Sequence, residues 1–130
     1  MVKSVLIADD CAATRRLVRQ LFEASGWDVV GEAENGQQAV LMAADLEPAV
    51  VTLDVAMPVM DGIQAAKRLM AEAPHIQVIM CTAHESNKSL QTRLRLTGIR
   101  AVVSKYDVIH SLIPTAEKLN TAMAFLRGTL

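Results

Sequence analysis

The chain has 130 residues, 52% of them apolar and 21% charged, and its net charge is −1. This length suits one domain with a sizeable core, and the composition excludes a disordered chain. The near-neutral charge argues against a protein that binds nucleic acid or membrane with its whole surface, although it leaves room for a local patch.

The two cysteines and the first ten residues indicate the cellular compartment. Cys11 and Cys81 are not spaced as metal ligands, and the apolar run in MVKSVLIADD is too short for a secretory signal. No run approaches the length of a membrane span. We therefore expect a cytoplasmic protein with free thiols, and we favour packing over redox sensing as the role of both cysteines.

Five apolar runs alternate with five helical patterns along the chain. The run from Ser4 to Ala8 predicts a strand that is buried on both faces. Helical spacing follows from Ala13 to Ala24, and Gly26 ends that helix. The remaining elements are predicted, in chain order, as strand WDVVGEA, helix QQAVLMAADL, strand AVVTLD, helix 63–73, strand IQVIMCTA, a polar helix through Leu90 and Leu94 that ends at Gly98, strand RAVVS, and a last helix carrying Leu112, Ala116, Leu119, Met123 and Leu126.

This alternation implies right-handed crossovers and an α/β fold with a parallel sheet covered by helices on both faces. Periodicity does not choose between the two strand orders that are common for five-stranded sheets of this kind. The connections are too short for a second domain, so we expect a single domain over residues 1–130, with 127–130 as a tail or the start of a linker.

Polar residues lie at the carboxyl ends of four predicted strands, where open α/β sheets bind their ligands. The first strand ends in Asp9 and Asp10, the third in Asp54, the fourth in Thr82, and the fifth runs into Lys105. Three converging carboxylates need a cation or raised pKa values, and oxygen ligands of this kind suit Mg²⁺. A nucleophilic carboxylate, a metal and a cationic clamp are typical of a phosphoryl-transfer site.

Four motifs, LIADD, LDVAMPVMDG, CTA and VSK, resemble those of receiver domains of two-component response regulators. The resemblance runs from about Lys3 to about Leu126. It implies a flavodoxin-like sheet with strand order 2-1-3-4-5. It further implies a protein that is not an enzyme beyond self-catalysed phosphoryl acceptance and autodephosphorylation.

The resemblance also implies the roles of individual residues. Asp54 would be the phosphorylated residue, and the metal, Mg²⁺ or Mn²⁺, would be held by Asp9, Asp10, Asp54 and the backbone carbonyl of Ala56, with Asp10 the more direct of the first pair. Thr82 and Lys105 would contact the phosphoryl group. His84, Met57 and Ala83 would form the rim of the site.

Two residues near this site have competing interpretations. The family position of His84, together with that of Ala56, tunes the hydrolysis of the aspartyl phosphate, but His84 is equally well explained as a solvated loop residue. We expect Asp61 to form a turn rather than to bind metal.

The implied phosphoryl donor is a sensor histidine kinase or a phosphotransfer protein. The implied output surface consists of the fourth helix, fifth strand and fifth helix, which would shift in population to control a downstream protein or form a homodimer. We expect no direct contact with nucleic acid or membrane.

Five residues are predicted to contribute to the output surface: Lys88, Arg93, Arg95, Val102 and Tyr106. In residues 84–106 the basic residues outnumber the acidic ones, among which the sequence analysis counts only Glu85. We interpret this stretch either as a solvated helix face or as a surface for an acidic partner or a second copy of the chain.

Three positions on the output side depart from the family pattern. Tyr106 follows Lys105 where the family usually has proline, so we expect a trans bond or a rearranged loop. Val102 stands where the family usually has an aromatic switch residue. Pro114 falls within the expected fifth helix, so we predict that this helix starts late, near Ser111, or is kinked.

Other functions are less well supported by the sequence. A phosphatase that uses Asp54 as its nucleophile would need a second aspartate where Ala56 stands. A nucleotide or flavin binder would need a glycine-rich loop, and DDCAATRR has none. A receiver-like scaffold that is never phosphorylated remains an alternative. If the natural chain continues past Leu130, a DNA-binding or enzymatic output domain could follow.

Overall fold

The computed structural model describes residues 2–84 and 87–128. Strands and helices alternate throughout this part of the chain. The strands are β1 (Ser4–Ala8), β2 (Asp28–Ala33), β3 (Val50–Asp54), β4 (Gln77–Thr82) and β5 (Ala101–Ser104). The helices are α1 (Ala12–Ala24), α2 (Gly36–Leu46), α3 (Gly62–Glu72), α4 (Lys88–Thr97) and α5 (Val108–Leu126), with a short 3-10 turn at Lys105–Asp107 before α5.

The strands form one parallel sheet in the order β2-β1-β3-β4-β5, which confirms the flavodoxin-like topology. The register aligns the carboxyl ends of the central strands, because Ala8 pairs with Leu53 and Asp54 pairs with Cys81. Residues that directly follow these strands therefore meet at one edge of the sheet.

Both faces of the sheet are covered, so successive residues of one strand enter different halves of the core. Leu6 of β1 packs in the half formed with α2, α3 and α4, whereas its neighbour Ile7 packs in the half formed with α1 and α5. Every residue of β1 and β3 is buried. Each fully buried Leu or Ile side chain contributes about 1.5–3 kcal/mol to the stability of the folded state. The burial of β1 and β3 therefore holds the carboxyl ends of these two strands in place.

The start of α5 corrects a prediction made from the sequence. The helix begins at Val108, so a late start near Ser111 is wrong, and Pro114 lies in its second turn. Proline cannot donate a backbone hydrogen bond to the carbonyl of His110. Both His110 and Pro114 are exposed, so water can supply the missing donor and the helix continues past the proline.

The sequence predicts either a trans peptide bond or a rearranged loop after Lys105, because Tyr106 replaces the proline usual in the family. No cis peptide bond occurs among residues 2–84 and 87–128, so the bond to Tyr106 is trans. The chain then forms the 3-10 turn, in which the hydroxyl of Ser104 accepts a hydrogen bond from the backbone N–H of Tyr106 at 3.1 Å. This turn directs the tyrosine outward, where 81% of it is exposed.

Candidate metal and phosphoryl site

Three carboxylates converge at the carboxyl edge of the sheet. Asp9 and Asp54 are buried at the ends of β1 and β3, and Asp10 is exposed beside them. One carboxylate oxygen from each residue lies within 4.8 Å of the other two. This spacing allows a single cation to contact all three groups, and an all-oxygen set of this kind favours a hard divalent ion.

Lys105 places a positive charge between two of these carboxylates. Its Nζ lies 2.9 Å from Oδ2 of Asp9 and 3.2 Å from Oδ2 of Asp54. Burial disfavours the charged lysine, but the hydrogen bond to Asp9 and the charges of both aspartates outweigh burial and raise the pKa of Lys105. The lysine is therefore a permanent cation that clamps the edge of the sheet.

Asp54 is nonetheless poorly compensated in its ionised form. Burial, followed by the charge of Asp9, raises the pKa of Asp54, and Lys105 offsets only part of that effect. The backbone N–H of Ala56 donates to Oδ1 of Asp54 across 3.4 Å, which is too long for a strong hydrogen bond. A carboxylate in this setting is stabilised when further positive charge arrives.

Asp9 is fixed far more tightly than Asp54. Its Oδ1 accepts from the backbone N–H of Cys11 at 2.8 Å, its Oδ2 accepts from Lys105, and its own N–H donates to the carbonyl of Ala33 at 3.0 Å. Its carbonyl accepts from Nη1 of Arg15 at 2.7 Å. Sequence reasoning did not find Arg15, because a cation near a helix start is usually a solvated residue.

The loop between β3 and α3 packs tightly beneath Asp54. A side chain at Gly62 would collide with the backbone carbonyl of Asp54, so this position needs glycine. Asp61 forms a reciprocal capping box with Gln64 at the start of α3, as expected of a turn-forming residue. Val59 has φ of 69° between Pro58 and Met60, a conformation that β-branched residues rarely adopt and that the sequence did not predict.

The residues predicted around the rim occupy different environments. Thr82 is buried, and its Oγ1 accepts from the backbone N–H of His84 at 2.9 Å. Ala83 is half-buried and His84 is exposed. Met57 is the most buried of the three predicted rim residues, because only 9% of it is exposed and it packs in the hydrophobic core with Ile63. Its apolar side chain gains more free energy from burial than from lining a charged site.

The two cysteines differ in accessibility. Cys81 lies beside Asp54 on β4, and burial raises the pKa of its thiol to about 12, so it behaves as a packing residue. Cys11 is exposed at the N-terminal cap of α1, where hydrogen bonds from Thr14 lower the pKa of its thiol. Both thiols are free, as the sequence predicts.

The surface of α4 and β5 differs from the charged edge. Its predicted contributors are solvent-accessible: 44% of Val102 is exposed, and a groove of about 340 Å³ lies beside it, lined in part by Leu90 and Leu94. Within residues 2–84 and 87–128, no ion pair joins Arg93 or Arg95 to a carboxylate. The one acid that the sequence analysis placed in this stretch, Glu85, lies outside the described residues.

A doubly covered parallel sheet with three carboxylates and a lysine at its carboxyl edge defines a class of α/β protein that can hold a divalent cation beside a buried carboxylate. Residues 5–113 match the response regulator receiver domain family, and the chain belongs to that family. No helix in the described part of the chain is long and apolar enough to cross a bilayer.

The curated proteins to which the chain is similar include chemotaxis proteins and longer proteins that match it over only part of their length. The chain is 42% identical over 83 residues to the chemotaxis protein CheY of Thermotoga maritima, a match that covers 64% of this chain and 69% of that one. It is 40% identical over 108 residues to a protein-glutamate methylesterase/protein-glutamine glutaminase of Pseudoalteromonas atlantica. That match covers 82% of this chain but 26% of the relative, so the chain corresponds to about a quarter of that protein.

Solved structures give the same fold. The response regulator domain of Thermotoga maritima CheB superposes with a TM-score of 0.81 at 30% identity, covering 95% of this chain and 97% of that chain. A chain of the CheX-CheY-BeF3-Mg complex from Borrelia burgdorferi superposes with a TM-score of 0.82 at 26% identity, covering 90% and 88% of the two chains.

Proposed function

We propose that this receiver domain is phosphorylated on Asp54 by a phosphohistidine of a sensor histidine kinase or phosphotransfer protein. Mg²⁺, or Mn²⁺ in its place, would bind the carboxylates of Asp9, Asp10 and Asp54 and the backbone carbonyl of Ala56. The observation that carries the proposal is the position of Lys105, whose Nζ contacts both Asp9 and Asp54 at the edge where the three carboxylates meet.

The proposed reaction transfers the phosphoryl group from nitrogen to oxygen. A carboxylate oxygen of Asp54 forms the new bond to phosphorus while the bond from phosphorus to the histidine nitrogen breaks, and the imidazole leaves with that electron pair. When bound, the divalent ion supplies positive charge to the phosphoryl oxygens. Lys105 adds a second cation at the same place, and the hydroxyl of Thr82 retains a proton that it can donate to a phosphoryl oxygen.

Two further observations support this assignment. The pKa of Asp54 is raised by burial and by the charge of Asp9, so the apo site has excess negative charge that a divalent cation would relieve. A similar chain from Borrelia burgdorferi belongs to a complex whose name includes CheX, CheY, BeF3 and Mg. Ala56 supplies no second carboxylate for turnover, so we propose a phosphorylated switch rather than an enzyme that acts on other substrates.

The proposed output is a change in the population of conformations at the α4-β5-α5 surface. Val102 and Tyr106 are exposed there and Arg93 and Arg95 lack carboxylate partners in the described chain, so the surface suits an acidic protein partner with apolar side chains or a second copy of the chain. The kinase and partner belong to a cytoplasmic signalling pathway in this proposal.

The experiment compares two conservative substitutions in the same segment. The protein is incubated with acetyl phosphate and Mg²⁺, and its intact mass is measured. We expect one phosphoryl adduct on the parent and on Asp61→Asn, because asparagine replaces aspartate well as a helix cap. Asp54→Asn should carry none. An equal adduct on Asp54→Asn would reject the assignment, and a parent without any adduct would favour the unphosphorylated scaffold.

A further inference from the structure

Arg15 occupies a position that is electrostatically unfavourable for a cation. It lies in the first turn and a half of α1, whose N-terminus carries partial positive charge. This partial charge repels a cation at that end of the helix. The side chain is nevertheless largely buried, with 13% exposed, so compensating contacts must hold it there.

Those contacts join three parts of the molecule. Nη1 of Arg15 donates to the backbone carbonyl of Asp9 at 2.7 Å. Nε donates to Oε1 of Glu32 on β2 at 3.2 Å, and Nη2 lies 3.8 Å from Glu34. Glu32 also accepts from Arg19 at 2.7 Å, so both oxygens of this carboxylate are occupied. The guanidinium thus connects β2 through α1 to the loop that carries the carboxylates.

The carbonyl that Arg15 binds belongs to the peptide group between Asp9 and Asp10. This peptide group is rigid and planar, so fixing its oxygen also fixes the direction in which the chain leaves for Asp10. The other polar groups of Asp9 are held by Ala33, Cys11 and Lys105, and these contacts orient Asp9 itself. Among the contacts to Asp9 from residues 2–84 and 87–128, only the one from Arg15 holds the oxygen of the peptide that leads to Asp10.

We infer that Arg15 is a positioning residue for the metal site: it orients the Asp9–Asp10 peptide so that both carboxylates reach one divalent cation. This inference rests on the proposed function, because it assumes that the site binds Mg²⁺. The inference predicts that Arg15 increases the affinity of the site for Mg²⁺, whereas its positive charge alone would decrease that affinity. A nearby cation by itself repels Mg²⁺, whereas a correctly held ligand loop increases affinity for it.

The test uses this difference in sign. Mg²⁺ affinity is measured by isothermal titration calorimetry on the parent, Arg15→Met and Arg16→Met. Arg16 is the adjacent, exposed arginine of the same helix and has no ion pair within the described residues, so its substitution removes the same charge without removing these contacts. Loss of outer contacts to metal ligands typically weakens metal binding 10–100-fold. We expect Arg15→Met to bind Mg²⁺ about 10-fold more weakly and Arg16→Met to bind equally or slightly more tightly.

A third variant covers the case in which Arg15→Met does not fold. Arg15→Lys keeps the charge but loses the planar fork that contacts Asp9 and Glu32 together, so we expect several-fold weaker Mg²⁺ binding than in the parent. Parent-like affinity in Arg15→Lys, or tighter binding in Arg15→Met, would overturn the inference. If the parent itself bound no Mg²⁺, the proposed function would fail together with it. If the parent binds Mg²⁺ and Arg15→Met binds it with the same affinity, the positioning role of Arg15 is rejected while the proposed function stands.

Discussion

The carboxyl edge of the sheet and the surface of α4 and β5 both carry basic side chains, but in opposite settings. Lys105 is 22% exposed and contacts two buried carboxylates, whereas Arg93 and Arg95 are exposed and have no carboxylate partner in residues 2–84 and 87–128. A partly buried charge with two partners is part of the folded structure, whereas an exposed one contributes little to stability and is available to a ligand.

The same two regions differ in how closely they follow the family pattern. Asp54 and Lys105 match the family's motifs, and the phosphoryl transfer proposed for this site would permit few alternatives because its geometry is demanding. At the output surface, Val102 and Tyr106 replace the usual residues and both are exposed. Partner recognition tolerates such variation, since it requires a complementary surface rather than one fixed set of reacting atoms.

The largest expected effect is a difference in the free energy of unfolding between a substitution at the carboxyl edge and one on the surface of α4. In the absence of metal, Lys105→Met leaves Asp9 and Asp54 without their cation and should lower the free energy of unfolding by roughly 2–3 kcal/mol, somewhat below the cost for a fully buried pair. Arg95→Met removes an exposed charge and should change it by about 0.5 kcal/mol or less. Urea denaturation followed by Trp27 fluorescence measures both.

Millimolar Mg²⁺ adds a second arm to this experiment. It should restore much of the stability lost in Lys105→Met, because the ion supplies positive charge to the same carboxylates. Equal stability losses in Lys105→Met and Arg95→Met would show that the lysine contacts carry no more free energy than a surface charge.

A smaller effect concerns the pH dependence of the metal-free protein. Because the pKa of Asp54 is raised in the folded state, folding favours its protonated form. Its contribution to stability is therefore fully present below the unfolded pKa and is lost as pH rises through the folded pKa. Asp54→Asn, which stays neutral, should melt a few degrees above the parent at pH 7, and the difference should shrink below pH 4.

Melting curves across this pH range, with Asp61→Asn as the matched control, check the assignment. Asp61 is a helix cap at the surface of the same loop, so its substitution should not produce the same gain at pH 7. A parent that is more stable than Asp54→Asn at neutral pH would mean that Lys105 compensates Asp54 completely.

The smallest expected effect is a shift in local dynamics at the output surface. Addition of beryllofluoride with Mg²⁺ should change amide exchange in α4 (Lys88–Thr97), while α2 (Gly36–Leu46) on the other side of α3 should change less. Because Val102 has no ring to rotate, the change should be larger in α4 than in β5. Changes confined to the loop after Asp54 would contradict an output through α4.

Much of the fold and the carboxyl edge could be predicted from local patterns. Apolar runs placed the strands, and aspartates directly after β1 and at the end of β3 had to meet once those strands lay parallel and adjacent. The end of α4 at Gly98 was also expected, and the glycine has φ of 86° there. The structure adds that the side chain of Asn87 caps the start of this helix by accepting a hydrogen bond from the backbone N–H of Leu90. These features depend on spacing and local conformation, which the sequence carries directly.

Other features depended on packing between distant segments. Periodicity did not select the strand order, and only the resemblance to the family did so. The burial of Met57, the left-handed backbone of Val59 and the early start of α5 are each set by what surrounds them in the folded chain. Propensity alone disfavours the Val59 backbone and the interior Pro114, and tertiary contacts or solvent exposure overcome that preference.

The sequence by itself determined which side chains lie at the carboxyl edge of the sheet. The order of the residues specifies both the alternation of strands and helices and the side chain that follows each strand. Only the tertiary structure decided how those side chains are held. Arg15 contacts the carbonyl of Asp9 because α1 packs beside β1 and β2. Lys105 contacts Asp9, which lies 96 positions earlier in the chain, and also contacts Asp54, because the strand order brings the carboxyl ends of β1, β3 and β5 to one edge of the sheet. Electrostatic energy depends on distances of a few ångströms, and residue order does not specify such distances until the sheet has formed.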